Sequence, residues 1–354
     1  MHYLHTTDHE DTPMKTRHLF YALFVLSMST ISGPANAAPL VNCGDYITTS
    51  VTLDSDLHCT SGYTALEVGA SNITIDLNGH VLSGNSSMSG IYIHARSNVT
   101  IKNGWIKGFW GGINTARSDK LRVDNVSFYA MGEGLIMAGT DDGYVTNSDF
   151  INLTGSGVKI YTHSSFPSAD RNRIENNEFY QVRVGVDICG TSSEYNVIAD
   201  NLMWKTADYA INLNHSNRNQ IRDNRILDQG DGSAIRINSS FYNEMYNNTL
   251  QSGQHSALSI LANAATPCLE PNEKRSGKNR FYNNRVDDFD TAINLGLGVG
   301  SDPYIDGNGI LYNLIHNSNI GIQFRSDTYG NYARGNSFSG TTTPVVDYGT
   351  SNSH

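Results

Sequence analysis

The segment NRIENNEF, residues 172–179, returns along the chain as NVIADNLM (196–203), NQIRDNRI (219–226), NEMYNNTL (243–250), NRFYNNRV (279–286), NGILYNLI (308–315) and NYARGNSF (331–338). The second Asn falls at 177, 201, 224, 248, 284, 313 and 336, so one unit takes about 23 residues and two units carry insertions. Each unit also holds a short alternating strand: GIYIH (90–94), GINTA (112–116), GLIMA (134–138), GVKIY (157–161), GVDIC (185–189), AINLN (210–214), AIRIN (234–238), ALSIL (257–261), AINLG (292–296) and GIQFR (321–325). Positions two and mostly four are apolar and position three varies, which is the period-2 signature of a strand with one buried face. Short strands repeating at a fixed period, with no helical periodicity between them, read as coils of an all-β parallel solenoid of about 11–12 coils. A sandwich or barrel would not need one unit length with Asn at a fixed place. An Asn at the same turn of successive coils can pass its amide hydrogen bond from coil to coil.

The composition fits a folded, exported protein. Of 354 residues 38 are Asn, only 16% are charged, and the net charge is −10 with no basic run, which argues against nucleic acid as a partner. From Met14, the expected true start, Lys15 and Arg17 precede a 13-residue apolar stretch, Leu19 to Ile31, and then Ala35-Asn36-Ala37. That is the build of a secretory signal peptide, too short to span a bilayer. Residues 1–37 are therefore expected to be removed, leaving one β-helix domain over 38–354, secreted or periplasmic, monomeric and without a membrane anchor. All four cysteines fall in the exported part, where disulfides persist. Cys43 with Cys59 is the expected pair; Cys189 with Cys268 requires the loop carrying Cys268 to fold back. Their spacing makes no zinc pattern.

The opening CGDYITTSVTLDSDLHC (43–59) and NITIDLNGHVLSG (72–84) resembles the first coils of right-handed parallel β-helix proteins, the carbohydrate-binding and NosD-like group. The resemblance implies a right-handed solenoid and, among enzymes, pectate lyases, alginate lyases, mannuronan epimerases and polygalacturonase-type hydrolases. Several of their patterns are missing. Hydrolysis needs two carboxylates facing one bond, and Asp141-Asp142 and Arg236-Ile237 are only fragments of the polygalacturonase set. The epimerase signature Asp-Pro-His-Asp and the calcium and arginine patterns of classical pectate lyases are absent. His80, in DLNGH, belongs to a structural turn of the resembling proteins.

Inward positions of a coil are core, so chemistry must lie on an outward line along one sheet, a groove suited to a linear polymer. Position three gives Tyr92, Asn114, Ile136, Lys159, Asp187, Asn212, Arg236, Ser259, Asn294 and Gln323. Position five adds His94, Tyr161, Asn214, Asn238 and Arg325, with His163 and His215 just beyond. The insertion at 164–171 is placed to wall the groove.

A basic and phenolic cluster of this kind suits β-elimination on a uronate. A cation or amide must neutralise the carboxylate, a base must take the C5 proton, and an acid must reach the leaving oxygen. The expected assignment is Lys159 or His163 as base, Tyr161 as acid, and Arg236, Asn212, Asp187, Asn214 and His215 as substrate-binding residues. Asp187 can equally be an ion-pair partner of Lys159, and Tyr161 can simply pack against the insertion. The expected partner is an acidic polysaccharide, alginate before pectate, and no cofactor is expected. Calcium at Asp287, Asp288 and Asp290 lacks the six or so oxygens a hard cation needs. The calcium-independent β-helix alginate lyases are the nearest mechanistic relatives by residue type. Two other readings stand beside this one: a non-catalytic periplasmic carbohydrate-binding or metal-delivery β-helix, and a C5-epimerase.

Overall fold

A computed structural model describes residues 40–162, 165–166, 168–263, 275–297 and 304–354; the expected export segment, His163 and Cys268 lie outside them. The described residues contain strands and turns but no helix, and the strands stack in parallel as a β-solenoid of about 12 turns. Each repeat supplies three strands. In the coil that begins at Asn172, Arg173–Glu175 forms the first, and Glu178–Cys189 turns a corner to serve two faces in succession. In its neighbour Asp149–Tyr161 the register shifts at the same corner, between Leu153 and Ser156.

The Asn motif builds two ladders, not one. The first Asn of each motif runs Asn172, Asn196, Asn219, Asn243, Asn279, Asn308, Asn331, and each side-chain Nδ2 donates to the Oδ1 of the next at 2.9–3.2 Å. The second runs Asn177, Asn201, Asn224, Asn248, Asn284, Asn313, Asn336 in the same way, at 3.0–3.1 Å. From Asn177 to Asn313 this line is at most 3% exposed, so the amides must satisfy one another and the turn backbone. The residue before the second Asn carries the turn in the left-handed region: Asn176, Asp200, Asp223, Asn247 and Asn283, with φ between 55° and 58°. Short Asn and Asp side chains tolerate that conformation better than most.

The interior is a single column of Ile, Leu, Val and Phe contributed by every coil. Phe128, Phe150 and Phe179 stack face to face with centroids 4.7 Å apart. The Gly that begins several aligned strands makes room for this column. A Cβ on Gly157 would lie 2.6 Å from the Phe179 ring. At the N-terminal end Cys43 and Cys59 form the expected disulfide.

Candidate functional site

In-register parallel pairing places position three of successive coils side by side. The observed ladder is Tyr92, Asn114, Ile136, Lys159, Asp187, Asn212, Arg236, Ser259, Asn294, Gln323. Neighbours on such a ladder stand about 4.8 Å apart. Over its middle lies a cleft of about 710 Å³, with Lys159, Asp187, Asn212 and Arg236 in its floor and Tyr92, Tyr161, Phe166 and Tyr209 among its walls.

Asp187 is the electrostatic centre. It is half-buried between Lys159 and Asn212, and Asn212 Nδ2 donates to its Oδ1 at 2.8 Å. Burial holds its carboxyl above the usual carboxylate range. The attraction of Lys159, the Asn212 bond and the charge of Arg236 act against that shift without reversing it, and Glu133 adds to it. Lys159 faces Asp187 without closing an ion pair, and no contact ties down its amine among the described residues. Tyr161, two residues along the same strand and on the same face, meets Phe166 edge-on at 6.3 Å. Burial raises its phenol, with Tyr92 adding to the shift, so it keeps its proton at neutral pH. The insertion thus packs against Tyr161 and also walls the cleft through Phe166. Arg236 lies over the Tyr209 ring at 5.0 Å and donates to its hydroxyl at 3.3 Å, while its Nε is buried without an acceptor.

The structure gathers Lys159, Tyr161, Asp187, Asn212, Asn214 and Arg236 around one cleft. Two expectations change. His215 does not join them: it is 2% exposed, absent from the lining, and has φ of 52° where the chain leaves the sheet. Asn212 is 5% exposed and spends one of its two amide N–H groups on Asp187, which leaves at most the other for a uronate. Asn214 lines the cleft but is 4% exposed and accepts from Asn238 at 3.1 Å. Glu133, Arg183 and Tyr209, which the sequence reading passed over, also line it. All three stand just ahead of an aligned strand, and reading one or two positions upstream would have found them. Arg183 is paired with Asp208 at 2.7 Å, which leaves Lys159 and Arg236, among the described residues, as the floor cations facing a ligand.

Cys189 is disulfide-bonded. Among the described residues no three His, Cys, Asp or Glu side chains converge as a metal site. Asp287 is held by Arg285 and Asp290 by Asn319, both at 2.6 Å.

Two family models match: "Periplasmic copper-binding protein (NosD)" over residues 163–294, and "Right handed beta helix region" over residues 25–184. No curated protein matches the chain. Among solved structures, an alginate lyase from Paenibacillus sp. str. FPU-7 is 20% identical, with 68% of this chain and 90% of that one covered and a TM-score of 0.50. A mannuronic acid specific polysaccharide family 6 lyase from human gut microbiota is 15% identical over 84% and 85%, at 0.52. The periplasmic alginate epimerase AlgG is 11% identical over 88% and 79%, at 0.57. At these identities the likeness is one of fold.

Proposed function

The chain is a right-handed parallel β-helix, and from that premise we propose that its cleft binds a uronate-containing polysaccharide, alginate before pectate, and cleaves it by β-elimination. The observation that carries this reading is the pairing on one strand of Lys159, whose amine has no hydrogen bond or ion pair among the described residues, with Tyr161, whose phenol burial keeps protonated. Lys159 takes the proton from C5. The electron pair left behind forms the C4–C5 double bond as the C4–O bond breaks, and Tyr161 gives its proton to the departing oxygen. Asp187, about 4.8 Å along the ladder, offsets the ammonium formed on Lys159. Arg236 meets a uronate carboxylate in a neighbouring subsite, three ladder steps away or about 14 Å. Lys159 and Tyr161 reset by exchanging a proton with solvent. His163, the other expected base, lies outside the described residues.

Tyr161→Phe and Lys159→Ala should each lower turnover by about 10²-fold or more, read as the rate of appearance of ultraviolet-absorbing unsaturated ends from alginate. Full turnover in both variants would remove the cleft from the chemistry. The NosD match favours a second reading, a non-catalytic periplasmic β-helix; binding of alginate with neither unsaturated product nor a change in its uronate epimer ratio would select it. Copper itself does not fit the donors described. Met88, Met131, Met137, Met203 and Met245 are buried in the core, and Cys43, Cys59 and Cys189 are disulfide-bonded.

A further inference from the structure

The groove continues beyond Arg236. A second cleft of about 430 Å³ lies over the following coils, and Tyr209 and Arg236 line both clefts. Its floor extends the same ladder through Ser259 and Asn294, and Arg325 stands at its far side. Arg325 is two residues past Gln323, the ladder partner of Asn294, and its Nε donates to Asn294 Oδ1 at 3.0 Å. That bond orients the guanidinium, whose two terminal nitrogens make no hydrogen bond among the described residues. Two carboxylates also touch this cleft. Asp290 is already bonded to Asn319, and Asp231 is exposed.

From Lys159 to Arg236 is three ladder steps, and from Arg236 to the coil of Arg325 is three more. Each interval is about 14 Å, longer than one sugar, so one extended chain along the sheet would meet these cations at non-adjacent sugars. We propose that the second cleft is a distal binding site for the same acidic polysaccharide, with Arg325 holding a carboxylate several sugars from the bond that breaks. A planar guanidinium already fixed through Nε presents a fork that matches a carboxylate. This rests on the acidic-polysaccharide reading above, but not on cleavage.

The test is calorimetric binding of alginate oligomers of increasing length to the wild-type protein, Arg325→Ala and Arg325→Gln. Folding of each variant is checked by its thermal transition. Wild-type affinity should rise until the oligomer is long enough to enter both clefts. Arg325→Ala and Arg325→Gln should each lose about tenfold in affinity for long oligomers, the scale of one charge-assisted bond, and nothing for trimers. Affinity for long oligomers unchanged in both variants would overturn the proposal, and so would a wild-type affinity that stops rising at the trimer. Unsaturated-product formation by the wild type is followed in parallel. Absence of product with the Arg325-dependent length effect intact would sink the lyase reading and leave this site standing. Normal product formation without that effect would do the reverse.

Discussion

Asp187 weakens the fold at neutral pH, and that is an argument for its use. Burial raises its folded-state pKa above the unfolded value near 3.8, so between those two values the folded chain binds more protons than the unfolded chain. Stability contributed by this group is therefore present below the unfolded value and is lost as pH rises through the folded one. Asn in its place can still accept from Asn212 and carries no charge to desolvate. Asp187→Asn should accordingly raise the melting temperature at pH 7 and flatten the pH dependence of stability above pH 4, while lowering turnover on alginate. Thermal melts across pH, paired with rate measurements, check both parts. A variant less stable at pH 7 than the parent would show that the charge of Asp187, facing Lys159, does more for the fold than its burial costs.

At the scale of the coil, the Asn ladders convert a local motif into long-range order. Asn224 accepts both the backbone N–H and the side-chain N–H of Asn201 on its Oδ1, and donates to Ile198 O and Asn248 Oδ1. Asn224→Ala leaves two buried donors on Asn201 without an acceptor, so it should cost about 2–4 kcal/mol, measured by urea unfolding. Asn176→Gly, at a left-handed turn residue outside the ladder, should change stability far less. The repeat made most of this legible beforehand, because period-2 alternation admits one register, and the line from Tyr92 to Gln323 is the one observed. Legibility failed at the corners. Glu133, Arg183 and Tyr209 sit where the chain bends into the groove sheet, near the register shift seen between Leu153 and Ser156, so alternation does not report which way they point. His215 misled for the same reason at the other end of the strand: it follows Asn214 in sequence, but left-handed backbone carries it off the sheet.

Across the whole molecule, backbone pairing joins each coil to the coils before and after it, and a few long side chains, such as Arg96 to Tyr46 and Arg222 to Glu175, reach two coils away, so damage at one end should stay near that end. The Cys43–Cys59 disulfide ties the first turn, whose strands, among the described residues, pair forward: Asp45–Ile47 with Thr64–Val68, and Val51–Thr52 with Thr74–Asp76. The cleft begins coils later and takes its floor from Lys159 to Arg236. Replacing Cys43 and Cys59 together by Ser removes the loop constraint from the unfolded chain, typically a few kcal/mol, while leaving the bonded Cys189 intact. In a globular two-state domain that loss would be shared by every residue. Here it should appear as lost hydrogen-exchange protection over residues 45–83, with protection of the strands from Arg122–Met131 onward, and turnover on alginate, unchanged. Uniform loss of protection along the chain would mean that the solenoid folds as one cooperative unit and that its capping turn supports the distant cleft directly.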